Sequence, residues 1–252
     1  MNPPASEMVP TGLAFRHPTT KYMKGAYTTL LVLFLLGAIR TNAQQMYLHV
    51  GANRSEFLYK DAQGATIEGL HPDVGIALAG GLRRSFRSMV SKWFYTVGLI
   101  YARYGMRGTS NDPYRNYLEW RTDHLGADLG VESDLVTLGG SKKNGKGPTL
   151  FARLSTSPQI MIKGAQTIGG EVYDLRGVEQ FDAPFLFLNG GFGVNYCVSN
   201  RTAVVVDYVF GHGMRFPGVT WPDDERLAFR THTVRIGILV GSANCRYCLS
   251  SL

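Results

Sequence analysis

The chain has 252 residues, enough for one domain with a leader, and its 30 glycines, 13 tyrosines and 13 phenylalanines at 18% charged residues point to aromatic, turn-rich β structure. The formal net charge of +7 is inflated by the leader, where Arg16, Lys21, Lys24 and Arg40 stand against Glu7. No basic run with interleaved aromatics follows, so nucleic acid is not an expected partner. Cys197, Cys245 and Cys248 are too few and too late in the chain to build a disulfide framework.

Lys24 precedes the apolar run Thr29 to Ile39, and Thr41-Asn42-Ala43 leads into Gln44. A basic start, a short apolar stretch and a small residue before the cut describe a signal peptide over residues 23–43, cleaved between Ala43 and Gln44. The run is too short for a spanning helix of about 20 residues. Residues 1–22 read as an upstream extension of the reading frame or a disordered segment. The mature protein is expected to begin near Gln44 and to form a barrel over 44–242, with a tail over 243–252.

Eight strands are expected after Gln44, each with a period of two. Met46 to Asn53 faces out with Leu48 and Val50 and in with His49, Gly51 and Asn53. A polar connection, Arg54 to Pro72, leads to Asp73 to Arg83, where Val74, Ile76, Leu78 and Leu82 oppose Gly75, Ala77, Ala79 and Gly81. The strand Trp93 to Met106 sets Trp93, Tyr95, Val97, Leu99 and Tyr101 outward. Tyr117 to Leu135 opposes Leu125, Ala127, Leu129 and Val131 to His124, Gly126, Asp128, Gly130 and Glu132. Thr149 to Ile162 sets Leu150, Ala152, Leu154 and Ile160 against Arg153, Ser155, Ser157 and Gln159, with Pro158 marking an edge or bulge.

A long polar loop, Lys163 to Asp182, precedes the clearest hairpin. There Leu186, Leu188, Phe192, Val194 and Tyr196 oppose Asn189, Gly191, Gly193 and Asn195. After the turn Val198 to Arg201, Val204, Val206, Tyr208 and Phe210 oppose Ala203, Val205, Asp207 and Gly211. The last strand, Phe229 to Gly241, carries Val234, Ile236, Ile238 and Val240 outward and Thr233, Arg235 and Gly237 inward.

A soluble sheet covers its apolar face with another layer, and no amphipathic helix follows residue 44 to do so. The expected fold is therefore all-β: an eight-stranded antiparallel up-and-down transmembrane barrel whose covering layer is lipid. Ten residues at roughly 3.3 Å each, tilted about 40°, rise about 25 Å, the height of an outer-membrane apolar band. Trp93, Tyr95 and Tyr196 are expected at the periplasmic interface, and Tyr101, Tyr208 and Phe210 at the opposite one, as a lipid-facing aromatic girdle. Eight strands leave an interior that side chains fill. Arg83, Asp128, Glu132, Arg153, Asp207 and Arg235 point inward by parity and are expected to form a polar network of ion pairs, since isolated buried charges are costly.

With these residues in view, the chain resembles the PorT-like group of bacterial outer-membrane barrels, and more broadly the small OmpA- and OmpX-like barrels. The points of likeness are Asn42-Ala43-Gln44-Gln45, Leu48-His49-Val50-Gly51-Ala52-Asn53, Tyr117-Leu118-Glu119, and Gly190-Gly191-Phe192-Gly193-Val194 followed by Val206-Asp207-Tyr208. The resemblance implies an exported outer-membrane location, outer-membrane lipid as partner, and envelope or secretion proteins as further partners. Such barrels usually end on an aromatic residue, whereas this chain continues through Cys245-Arg246-Tyr247-Cys248 to Leu252.

No catalytic role and no cofactor are expected. There is no Gly-x-Ser-x-Gly elbow after the leader and no phosphate loop. Cys245 and Cys248 have a redox or zinc half-site spacing without the setting either needs, and read as an inert tail, with a structural disulfide involving Cys197 as the alternative. Asp223-Asp224-Glu225 reads as a solvated loop, with a hard cation as the alternative. His71 and His212 are expected in external loops. The functional expectation is a structural or interaction component of the envelope. A narrow porin-like channel and a secreted soluble β-barrel binding protein are the alternatives.

Overall fold

The computed structural model describes residues 44–60, 70–86, 92–109, 117–138, 147–199, 201–215 and 226–241. The leader, Ala43 at the expected cut, Asp223 to Glu225, Cys245 and Cys248 lie outside them.

Eight long strands form a ring: β1 (Gln44–Lys60), β2 (Leu70–Ser85), β3 (Trp93–Thr109), β4 (Tyr117–Thr137), β5 (Thr149–Ile168), β7 (Phe185–Cys197), β8 (Thr202–Arg215) and β9 (Arg226–Gly241). A short β6 (Glu171–Asp174) hangs on the end of β5, and a single helical turn, α1 (Glu179–Asp182), follows it. All neighbours are antiparallel. The ring closes where β1 pairs with β9 from Gln45↔Gly241 to Lys60↔Arg226, so no edge is left for the sheet to offer another chain. The end where β1 begins and β9 finishes is the terminal end; the other is the distal end.

Every strand facing predicted from alternation is the facing observed. His49, Asn53, Ala77, Ala79, Asp128, Glu132, Arg153, Ser157, Asp207 and Arg235 are buried inside, while Leu48, Ile76, Leu99, Leu129, Leu154, Phe192, Val206, Ile236 and Val240 are exposed outside. Pro158 is not at an edge. It sits within β5 between two partners, and the β4–β5 ladder lapses beside it between Gly126↔Gln159 and Leu129↔Thr156 before resuming in the same register.

The strands are longer than expected. β5 runs for 20 residues, to Ile168 instead of the expected Ile162, roughly 50 Å of height at the usual rise and tilt against a band of about 25 Å, whereas β4, at Tyr117–Thr137, stays close to the expected Tyr117 to Leu135. The extra length is distal, and it absorbs segments that read as loops. β1 continues through Phe57 to Lys60, and β5 continues past a bulge to Ile168 before turning at Gly169 and Gly170, both at positive φ. His71 and His212 likewise lie on strands, opposite Arg107 and Arg230. The expected loop over 163–182 is instead strand, hairpin and helical turn.

Along this distal extension the polarity of the two faces reverses. At the level of Leu48, Leu99, Leu125 and Ile236 the outside is apolar and the inside polar. Beyond it the outward residues are Arg54, Arg103, Asp123, Lys163, Arg230 and His232, and the inward ones are Phe57, Tyr104, Trp120, Phe187 and Phe229. The switch falls at matched positions on neighbouring strands: Arg54 pairs with His232, and Asp123 pairs with both Arg103 and Lys163, while on β2 Val74, opposite Arg54, stays apolar and exposed. A wall in hydrocarbon must be apolar outside, and the same wall in water must be apolar inside, so the level of reversal marks a change of surroundings.

The barrel lumen as candidate functional site

The lumen is filled in layers. At the terminal end Tyr47, Phe151, Ala203, Val205 and Leu239 pack together, with Phe94 beneath the Arg83 guanidinium at 3.5 Å from the ring centroid. Above them runs a chain of charges. Arg83 Nε donates to Glu132 Oε2 at 2.5 Å and its Nη1 to Gln45 Oε1 at 2.8 Å; Arg153 Nη1 donates to the other Glu132 oxygen at 3.0 Å. Arg153 Nη2 also pairs with Asp128, whose second oxygen accepts from Ser157 Oγ at 2.9 Å, and Asn189 Nδ2 donates to that hydroxyl at 3.1 Å. Arg235 makes a separate fork to Asp207, with Nε and Nη2 at 2.9 and 2.5 Å.

All six residues of the expected lumen network therefore point inward, and each meets an opposite charge among the other five. Three guanidiniums face these three carboxylates, and Asp134 adds a fourth acid 3.6 Å from Arg83 Nη2 at the terminal edge of the layer, so every guanidinium is matched by acid. Every one of the six side chains is at most 6% exposed, and a buried ion of this kind is tolerable only with its partner in place.

Beyond the charges a cavity of about 30 Å³ lies among Asn53, Ala102, Gln159, Val209 and Thr231. It holds a water or two and no solute. The distal third is closed by rings: Tyr104 stacks on Phe187 with centroids 5.1 Å apart, and Phe229 meets Phe57 and Phe185 edge-on at 4.6 and 4.8 Å. Phe181 of α1 meets Trp120 at 6.0 Å, and Leu175 joins the same cluster, so β6 and α1 cap the mouth.

This aromatic block is the part that sequence reading missed. Its signal was present: Phe185 and Phe187 share parity with Asn189, and Phe57 with Asn53. Beyond the level where the outward residues stop being apolar, alternation of polarity no longer marks the strand.

Lumen-facing glycines serve this packing. A Cβ on Gly237 would collide with the His49 ring, one on Gly98 with the Tyr47 hydroxyl, one on Gly193 with Phe151, and one on Gly213 with Phe187. Each glycine is thus the socket for a large residue on a neighbouring or facing strand, which is why small and large alternate across the interior.

On the outer wall Trp93 and Tyr196 are exposed at the terminal end, with half-buried Tyr95 edge-on to Phe86 at 5.4 Å. Tyr101, Tyr208 and Phe210 stand at the level of polarity reversal. Arg103 Nη2 donates to the Tyr101 hydroxyl at 3.4 Å, the Tyr208 hydroxyl lies 2.5 Å from His232 Nδ1, and Phe210 is edge-on to the same imidazole. Cys197 ends β7 at the terminal end, and Gln44 begins β1 there.

Among the described residues no group of three or more His, Cys, Asp or Glu is placed to hold a metal ion, and no helix is long and apolar enough to cross a membrane, which says nothing of crossing by strands.

No protein-family model matches the sequence, and none of the curated proteins matches it. Among solved structures, outer membrane protein OprG from Pseudomonas aeruginosa aligns at 12% identity over 79% of this chain and 97% of its own, with a TM-score of 0.43. Neisserial surface protein A aligns at 12% identity over 77% and 96%, with a TM-score of 0.40. Ail, the attachment invasion locus protein of Yersinia pestis, aligns at 12% identity over 77% and 97%, with a TM-score of 0.33. None of these likenesses is close enough to carry a function across. The closed eight-strand barrel rests on its own ladders.

Proposed function

We propose that the chain is a bacterial outer-membrane barrel with a closed lumen, exported by its leader, and a non-enzymatic structural or interaction component of the cell envelope. The carrying observation is the reversal of polarity along the strands. It supports a barrel whose terminal two-thirds stands in hydrocarbon and whose distal third stands in water. The connection capped by β6 and α1 is distal, which suits a distal end outside the cell and barrel termini in the periplasm. The PorT-like resemblance adds secretion as the setting, with periplasmic or secretion partners.

The alternative of a narrow channel is disfavoured by three stacked layers of side chains, and the cavity between the charged and aromatic layers has room only for water. The alternative of a soluble secreted barrel needs a cover for the exposed ring of Leu48, Ile76, Leu99, Leu154, Phe192 and Ile236.

Envelope fractionation with gel mobility before and after heating tests the proposal. The barrel should partition with outer membranes and migrate faster unheated than boiled. Recovery in the periplasmic or culture fluid with one mobility would refute it.

A further inference from the structure

Two features of the outer wall coincide on β3, β4 and β5, the second of them reaching across onto β7. The first is a group of cations at the level of polarity reversal: Arg103 on β3, Arg121 on β4 and Lys163 on β5. Their acids lie underneath them. Asp123 holds Arg103 through Nε at 2.7 Å and Nη2 at 3.3 Å, and Glu119 holds Arg121 Nη2 at 2.7 Å. The carboxylates are only 12% and 18% exposed while the two guanidiniums are 37% and 47% exposed, so the face turned outward is cationic. Lys163, exposed beside Asp123 in register, makes no ion pair among the described residues.

The second feature lies about six residues further toward the terminal end of these strands. A groove of about 710 Å³ runs along the outer wall between Val97 and Leu129 on one side and Leu154 and Leu188 on the other. Gly190 forms part of its floor, where a Cβ would meet only Leu154, at 3.6 Å. Its walls are apolar, and Leu125, Ile160 and Ile162, all exposed, link it to the cations above.

Six strand residues at the usual rise and tilt span about 15 Å, half of a hydrocarbon core of about 30 Å. That is the reach of one leaflet's acyl chain below its own headgroup. An anionic headgroup at the cations and a chain in the groove would both be met by a single lipid. A free anion has no use for the groove, and a neutral lipid has none for the cations.

From this coincidence we infer that the β3–β4–β5 wall, with the adjoining edge of β7, is a binding site for one lipid whose phosphate headgroup carries a net negative charge, distinct from the bulk lipid around the barrel. The inference rests on the membrane reading above. Arg103, Arg121 and Lys163 take the phosphate oxygens, for which guanidinium forks and an ammonium are the fitting donors. The groove beside Gly190 takes an acyl chain.

Native mass spectrometry of the barrel in neutral detergent tests it, with phosphatidylglycerol and phosphatidylcholine of identical chains as probes. The wild type should retain phosphatidylglycerol at least about tenfold more than phosphatidylcholine, one interfacial cation giving roughly fivefold and two roughly thirtyfold. Arg121→Gln with Lys163→Gln, both exposed positions, should abolish that preference. Gly190→Leu, which fills the groove, should lower phosphatidylglycerol retention several-fold. Millimolar inorganic phosphate should not compete.

Equal retention of the two lipids, an unchanged preference in the charge variant, or displacement by inorganic phosphate alone would each overturn the site while leaving the membrane barrel standing. Heat-modifiable mobility of each variant establishes that it is folded. A wild-type protein that stays monomeric and soluble without detergent would instead overturn the membrane reading, and this site with it.

Discussion

Glu132 is the residue on which the lumen network turns, because it accepts from Arg83 and Arg153 together. Glu132→Gln leaves two buried guanidiniums short of charge, and a loss of about 3–5 kcal/mol is expected in urea unfolding from lipid or detergent. A lumen charge that mattered only as a surface ion pair would cost under about 1 kcal/mol. The glycines give a sharper contrast. Gly237→Ala drives a methyl into the His49 ring and the Leu48 carbonyl, and should cost about 1–3 kcal/mol, whereas Gly190→Ala on the outer wall meets only the Leu154 side chain at ordinary contact distance and should be neutral or slightly stabilising. Equal effects of the two in the same unfolding measurement would mean that the interior is not packed as described.

At the scale of elements, the segment of β6 and α1 closes the mouth through Leu175 and Phe181, while β6 itself ladders onto β5. Phe181→Ala should raise hydrogen exchange through residues 171–182 and change Trp120 fluorescence, with little effect on the temperature of barrel unfolding, because the eight-strand ladder does not pass through the cap. Asp174 in this cap has its carboxyl held down to about 2, first by side-chain hydrogen bonds from Arg176 and then by the Arg176 backbone N–H. Its folded pKa lies below its unfolded one, so its contribution is complete above the ordinary carboxylate range and is lost as pH falls toward about 2. Exchange in β6 should therefore stay slow at pH 5 and accelerate in strong acid.

The eight strands and their facings were legible in sequence because a period of two is written by every residue, and outer side chains that stay apolar where the inner ones are polar make it unusually clean. The ends of the strands were not. Where Arg54, Lys163 and His212 appear outward, the chain reads as loop by composition, although the ladder continues. Inward Phe57, Phe187 and Phe229 can be recognised as a plug only once the change of surroundings is known. The inward charges could be named from parity, but not which arginine meets which acid, since that depends on stagger between strands β2, β4 and β5 that alternation does not fix.

For the whole molecule, an ion-paired layer between two ring-packed layers predicts an electrically silent barrel. Planar-bilayer recording should show no steady open level, and Phe229→Ala, which costs about 3–5 kcal/mol by the usual scale for a fully buried ring, should still not open one, because the Arg83–Glu132–Arg153 layer remains below it. Porin-like steps in the wild type would refute the sealed lumen without touching the fold.

The reversal of polarity is tested most directly by spin labels placed one at a time along the outer faces of β1 and β9, at Leu48, Val50, Arg54, Arg230, Val234 and Ile236, with the protein in lipid vesicles. Collision with oxygen should dominate at Leu48, Val50, Val234 and Ile236, and collision with a water-soluble nickel chelate should take over at Arg54 and Arg230. Labels at Leu48 and Ile236 that met the chelate as freely as those at Arg54 would contradict the account.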